Sequence, residues 1–381
     1  MKNRCLSAAA AAFLLCLAAC SPVNENVSDT QSGTAVYISP KSEEDGSNSD
    51  FVRSTLTDEE ITAYDRLVEA VGNYDGTIVF PESFDREKMR KIFALVYTQE
   101  NRIFWLDSKF YCDEETKTIN LFYRYDKEKS DNMRVALEMK AGEIISSVPE
   151  GSSDYDKILA FHDAIILGCD FAKDGEYSNT AYGAIVDGFA QCEGYAFALA
   201  YLCSAAGIEN YVVQGSNSEG ASHAWNKVYA DGDWYNVDCT WDDPILKYEN
   251  PDYIRHDYFF VSDAEINNKT HFPDTSLFEP IECTKSDGNY FVRSGLMFSA
   301  ADDGISRLSE EIRSAVPNGN HEVEIRFTAE EAYKQASAQL FDNNGLKQII
   351  EDLNGNYSLK IQSAHKNVND SIYVIHISLI Y

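Results

Sequence analysis

The stretch GFAQCEGYAFALAYLCSAAG, Gly188 to Gly207, decides the reading of this chain. Gly188 and the small residues after it read as a loop. Tyr195, Ala198, Leu199 and Leu202 then recur at helical spacing, and Gly207 supplies a stop signal. Cys192 therefore falls in the first turn of a helix. Unpaired backbone N–H groups and the helix dipole favour an anion there, and thiols so placed are acidified. Two readings follow from the segment alone: a nucleophilic thiol, or a small buried hydrophobe of the kind free cysteines commonly are.

The N-terminus points to a compartment. Lys2 and Arg4 precede an apolar run, Ala8 to Ala19, too short to span a bilayer. It reads as a secretory leader. Its end, Leu17-Ala18-Ala19-Cys20, resembles a bacterial lipobox, which implies cleavage before Cys20, lipidation of that thiol and an extracytoplasmic, membrane-anchored protein; the alternative is ordinary cleavage after Ala19. Residues 20–50 are rich in Ser, Asn, Asp, Gly and Glu and read as a flexible tether. The rest is long enough for two or three domains, and 23 Tyr with 20 Phe can furnish a core.

A formal net charge of −30 excludes nucleic acid and other polyanions as partners. Cysteine usage leaves disulfides open. Six cysteines follow Cys20: Cys112, Cys169, Cys192, Cys203, Cys239 and Cys283. No CxxC pair supports a structural zinc site. Cys203 lies about 16 Å of helical rise from Cys192, too far for a bridge between them.

Along the chain, Leu56–Val71, a segment from Arg86, and Ser153–Leu167 read as helices. The segment from Met133 is weakly helical. RIFWLDSKFYCDEETKTINLFYRYD alternates and turns at Glu114–Lys117, a hairpin. In the tail, strand signals begin at Asn289, His321, Tyr357 and Ser371, and helix signals at Ile305, Glu330 and Leu346. This reads as a small α+β domain.

The segment SHAWNKVYADGDWYNVDCTWDDP, Ser222 to Pro244, reads as two strands joined at Asp231-Gly232. With those as turn residues, Ala230 faces Asp233 and, counting outward, His223 faces Thr240. Asp238 then lies one diagonal step from His223 on the same face, about 7–8 Å away; a one-residue slip would separate them. A thiol needs a base, and the base needs a group that fixes its tautomer. Cys192, His223 and Asp238 offer those roles.

CEGYAFALAYLCSAAGI and SHAWNKVYADGDWYNVDCTWDDP together resemble the core of the transglutaminase-like superfamily. AYGAIVDGFAQC and ILAFHDAII fit as well, so the resemblance covers about Ser153 to Val261. It implies an α+β, papain-like domain in which the cysteine-bearing helix packs on an antiparallel sheet. It also implies Cys192 as nucleophile, His223 as base and Asp238 as orienter, and bacterial surface proteins as the nearest analogues. Gln191 precedes the nucleophile as a Gln does in animal transglutaminases, but Glu193 stands where those have Trp, which weakens any expectation of their crosslinking specificity.

The expected organisation is a leader at 1–19, a tether at 20–50, an N-terminal helical and hairpin region at 51–150, a catalytic domain at 151–282 and a C-terminal α+β domain at 283–381. The backbone N–H of Cys192 is an expected oxyanion donor, with Gln191 as a further candidate. Tyr182, Trp225 and Trp241 are substrate-groove candidates, though packing explains each equally simply. Asp242 and Asp243 suggest a metal or, more simply, a capped turn. His162 reads as a hydrogen-bonded core histidine, while His256 and His271 have no partner legible in the sequence. The Gly/Ser-rich run Gly215–Ser222 reads as a gating loop or a plain connection. No cofactor and no metal are expected. Two functions compete: thiol-dependent acyl transfer on protein or peptide amides at the cell envelope, ending in hydrolysis or transglutamination, and a non-catalytic scaffold whose flanking regions hold a partner.

Overall fold

A computed structural model describes residues 50–243, 253–267 and 269–381. The leader, Cys20, the tether up to its last residue, and Pro244 lie outside the described residues. The fold is mixed α+β. Helices α1 (Asp58–Asn73) and α2 (Arg86–Gln99) flank a short strand β1 (Thr77–Val79), and the predicted hairpin follows as β2 (Leu106–Asp113) and β3 (Thr118–Tyr123). Next come α3 (Lys127–Ser147), α4 (Asp154–Gly168) and α5 (Cys192–Ala205). The central sheet is built from β4 (Asn210–Asn217), β5 (Ser222–Ala230), β6 (Asp233–Val237), β7 (Phe259–Val261) and β8 (His271–Pro273). Its order is β8-β4-β5-β6-β7, antiparallel throughout.

Local chemistry sets several boundaries. Thr57 caps α1 in a reciprocal capping box with Glu60, and Asp85, Asp126 and Ser153 cap α2, α3 and α4. The Asp126 cap starts α3 six residues before Met133, where the apolar pattern had placed it. The β5–β6 turn has Asp231 at φ 56° and Gly232 at φ 91°, the left-handed pair that a two-residue hairpin requires. Pairing runs from Ala230↔Asp233 to Asn226↔Val237, the register expected from the sequence.

Helix α5 departs from the amphipathic expectation. Every residue from Gly194 to Ser204 is buried. It packs on β4 and β5 and against α4, so no face is left for solvent. Its composition permits this, because Ala and Gly let neighbours approach closely. Asn226 on β5 donates to the carbonyl of Ala196 at 2.9 Å and pins the helix to the sheet.

The N-terminal elements share this core, which runs without a break from Val52 to Phe260. Gln99, at the end of α2, makes two amide hydrogen bonds with the backbone of Val212, at 2.9 and 3.2 Å. A second core, Tyr258 to Leu379, fills the C-terminal part. There α6 (Ala301–Ala315), α7 (Glu330–Ser337) and α8 (Gly345–Tyr357) accompany a sheet of β9 (Met297–Phe298), β10 (Glu322–Phe327), β11 (Ser363–Asn369) and β12 (Val374–Ile380), in the order β9-β10-β12-β11. No helix among the described residues is long and apolar enough to cross a membrane.

Three expectations need correction. The segment from Asn289 is not one strand: the Asn289 side chain caps a helical turn, Tyr290–Arg293, and Gly295 at φ 70° ends it before the two-residue β9. The segment from Tyr357 is first the end of α8. Ser358 and Lys360 adopt positive φ, and the Asn354 amide ties down Ile361 with two 2.8 Å hydrogen bonds before β11 begins. The run Gly215–Ser222 is no open loop, because β4 continues to Asn217 and β5 starts at Ser222. Asn217 Oδ1 accepts from the backbones of Glu219 and Ala221, closing a tight turn.

A Cβ on Gly194 would lie 2.4 Å from the carbonyl oxygen of Ser178, whereas one on Gly142 in α3 meets nothing within 4 Å. Gly194→Ala is expected to lower the unfolding free energy in urea by about 1–3 kcal/mol. Gly142→Ala is expected to raise it by about 0.5–1 kcal/mol. Equal midpoints for the two variants would disprove the tight seat of α5.

Candidate active site

The site forms where the start of α5 meets the open end of the β5–β6 hairpin. Gln191 is the N-cap, in extended conformation and without a side-chain capping bond, and Cys192 is the first helical residue. None of the six described cysteines is in a disulfide, and Cys192 is half-buried. At this position its own backbone N–H lacks an intrahelical acceptor.

His223 is the second residue of β5. Its Nε2 lies 2.6 Å from Asp238 Oδ2, while the ring also interacts with the Cys192 thiol. With Nε2 committed to the carboxylate, Nδ1 remains for sulfur. The imidazole and carboxyl are 4 % and 2 % exposed, so their contact is shielded from water. Burial works against a charged imidazole here, but the Asp238 charge and hydrogen bond, with a contribution from Cys192, carry the His223 pKa up to about 10. Burial likewise disfavours a charged Asp238, yet His223 and His271 hold its pKa well below the usual carboxylate range.

Asp238 lies just past β6, and its backbone N–H bonds to the carbonyl of Tyr258. Oδ1 accepts from the backbones of Thr240 and Trp241 at 2.9 and 3.2 Å, capping the short helix Cys239–Asp242. Oδ2 accepts from both His223 and His271, the latter at 3.0 Å. The carboxylate thus makes four hydrogen bonds, which saturates it.

His271 is the member that the sequence left without a role. It enters on β8, whose first residue pairs with Asn217 of β4. Burial, with the charge of His223, outweighs Asp238 and lowers its pKa, so the ring is neutral at neutral pH. Asp238 Oδ2 can only accept, so the ring proton sits on Nε2, and Nδ1 lies 2.8 Å from Thr270 Oγ1. A three-residue edge strand containing Pro273 carries too little periodicity to be seen in advance. The ligand atoms of His223, Asp238 and His271 are close enough to hold an ion; the outer nitrogens of these rings face Cys192 and Thr270 rather than carboxylates.

The other candidates scatter. Trp225 is buried, stacks near His223 at 5.9 Å and donates to Asn236, so it is a core residue that braces the base. Trp241 is half-buried and packs on His223, His271 and Tyr258. Tyr182 sits elsewhere, against Phe104 and Tyr177, beside a surface depression along α3. Glu193 turns toward Arg124 and Asn179. Asp242 accepts from the Tyr258 backbone and faces His162, and Asp243 accepts from the Tyr195 hydroxyl at 2.6 Å. His162 is a fully buried, hydrogen-bonded core histidine, as expected.

Residues 143–239 match the transglutaminase-like superfamily. Kyphoscoliosis peptidase of Mus musculus is 27% identical over 108 residues, which is 25% of this chain and 16% of the mouse protein. The chain therefore spans only a small part of that relative's length. A crystal structure of a TGase is 20% identical, with a TM-score of 0.26, over 43% of this chain and 50% of the other. A candidate cysteine protease from Cytophaga hutchinsonii is 21% identical, with a TM-score of 0.25, over 31% of this chain and 43% of the other.

The raised His223 pKa gives a stability signature with a definite sign. Stability from the charged pair is fully present below the unfolded His value of about 6.5 and is lost as pH rises through about 10. The melting-temperature gap between the native chain and His223→Gln should therefore shrink between pH 7 and 10.5. A constant gap would show that the ring is neutral throughout. His271→Ala, which leaves Asp238 with one imidazole, should lower thermal stability and shift the pH at which the gap closes.

Proposed function

With a transglutaminase-like domain over residues 143–239 as the premise, we propose that this chain cleaves or transfers acyl groups of protein or peptide amides through Cys192, His223 and Asp238. The observation that carries the reading is the placement of the Cys192 thiol, at the first position of α5, against an imidazole whose other nitrogen is 2.6 Å from a buried carboxylate.

The chemistry follows from the charges. The reacting form pairs the His223 imidazolium with the sulfur of Cys192, whose proton the ring carries. The thiolate attacks the amide carbon, and the oxyanion gathers at the Cys192 backbone N–H. As the C–N bond breaks, His223 gives its proton to the departing amine, leaving a thioester and a neutral imidazole. That imidazole then takes a proton from water or from a second amine as it attacks the thioester. Water yields a carboxylate, an amine yields a new amide, and the sulfur and the imidazolium return to their starting state either way. Asp238 holds the ring in register throughout and remains ionised. Hydrolysis is the favoured outcome, since water is always present whereas aminolysis needs a bound second amine. The leader-like N-terminus and the lipobox-like Leu17-Ala18-Ala19-Cys20 support a reaction outside the cytoplasm on a lipid anchor.

Two measurements test this. Iodoacetamide at pH 6–7 should modify Cys192 ahead of the other cysteines, and His223→Ala should abolish that preference. Against a peptide library resolved by mass spectrometry, His223→Ala should lose about 100- to 10,000-fold in rate, and Cys192→Ala should lose all turnover. New amide bonds with an added amine, without hydrolysis, would reassign the reaction to transglutamination. Equal alkylation of all six thiols would overturn the catalytic reading.

A further inference from the structure

Beyond the triad, the described residues contain a second histidine–carboxylate cluster, where the C-terminal part packs on the catalytic domain. His162 and Asp163 come from α4, His256 from the segment before β7, and Glu324 from β10. His162 Nδ1 lies 2.8 Å and His256 Nε2 3.2 Å from one and the same atom, Asp163 Oδ1. The far nitrogen of each ring also meets a carboxylate: His162 Nε2 is 3.2 Å from Asp242 Oδ2, and His256 Nδ1 is 2.9 Å from Glu324 Oε1.

We propose that His162 Nδ1, His256 Nε2 and Asp163 form a binding site for a divalent transition-metal ion, zinc being the ion that its donors fit best. Three observations carry this. The first is proton accounting. A neutral imidazole has one N–H, and here four ring nitrogens face carboxylate oxygens. Without an ion, four protons must lie between these nitrogens and oxygens, on two buried rings with centroids 5.5 Å apart or shared with the Asp242 carboxyl. With an ion on the inner nitrogens, two neutral rings suffice, and each outer N–H goes to its own carboxylate. The second is that this outer arrangement, histidine braced by carboxylate, is what metal-ligating imidazoles need to fix tautomer and orientation. The rings are also held by packing: Tyr290 stacks on His256 at 3.8 Å, Phe259 meets His162 edge-on at 5.0 Å, and the Tyr258 backbone orients Asp242. The third is access. The Asp163 side chain is 32 % exposed, so an ion and the water completing its shell can enter.

Two nitrogens and one carboxylate suit zinc or a neighbouring ion and are too few and too soft for calcium or magnesium. Of the two other clusters with close ligand atoms, His223, Asp238 and His271 belong to the active site. In the third, the two nitrogens of His376 are directed at different carboxylates, Asp257 and Glu324, in a nearly closed interior. An ion at His162, Asp163 and His256 would join α4 to the segment before β7 and, through Glu324, to β10. It would thereby fasten the C-terminal part to the catalytic domain.

The test uses the full chain, stripped with a chelator and titrated with zinc chloride by calorimetry, with metal content measured after gel filtration. The native chain and Cys192→Ala should each take up one equivalent, with a rise in melting temperature. Asp163→Asn and His256→Gln should bind at least about tenfold more weakly while keeping a native circular-dichroism spectrum. Asp242→Asn, which alters only an outer partner, should weaken binding less than either ligand variant and serves if one of those fails to fold. Cobalt loading should give visible bands without a thiolate charge-transfer band in the near ultraviolet. No stoichiometric uptake would overturn the proposal. So would binding that survives Asp163→Asn and His256→Gln but is lost in Cys192→Ala, which would put the ion at the active-site cysteine.

Discussion

The carboxylate of Asp238 is the group around which the site is arranged. Its Oδ1 holds two backbone N–H groups and starts a four-residue helix. Its Oδ2 receives two imidazoles from different strands. A buried carboxylate with fewer donors would lose its charge, because desolvation favours the protonated form. Four donors keep it ionised, and the ionised form keeps His223 protonated. The backbone bonds matter as much as the histidines, since they fix where the charge sits before any ring arrives.

Around that point the fold supplies rigidity rather than chemistry. Helix α5 is enclosed on every side from Gly194 to Ser204, so Cys192 sits at the end of a closely packed helix. Trp225 and Trp241 pack on the His223 ring and limit its rotation. The β5–β6 turn transmits register from Asp231-Gly232 down to the strand ends, where His223 and Asp238 meet. Small side chains in α5 and a left-handed dipeptide in the turn are modest local features. Together they bring three residues, 46 positions apart at the extremes, into one contact set.

The two halves of the described chain meet over charged groups as well as apolar ones. Tyr258 and Val261 belong to the second core, while their neighbours Phe259 and Phe260 belong to the first. Between them lie His162, His256, Asp242, Asp257, Glu324 and His376, carried on helices, strands and the segment before β7. Buried ionic groups of this kind contribute weakly to stability when replaced as a set but strongly when broken singly. The same short helix links this cluster to the active site, since Asp238 caps it and Asp242 lies at its end. A structural change at the junction therefore has a direct covalent route to the carboxylate that orients His223.

Where each reading succeeded depends on the range of the interaction. Helix α5, the Asp231-Gly232 turn and the pairing that carries His223 toward Asp238 are local, and they were legible because backbone preference and alternation act within a few residues. The resemblance of the motifs pointed to Cys192, His223 and Asp238, which the structure brings together. It was silent on His271, which reaches the same carboxylate from 33 residues downstream on an edge strand. It was equally silent on the meeting of His162 with His256 and Glu324, and on the burial of every face of α5. The sequence by itself determined the α5 helix, the β5–β6 hairpin and where the titratable side chains fall along them. Only the tertiary structure decided which charges share a low-dielectric space, because that depends on contacts between segments whose spacing along the chain carries no periodic signal.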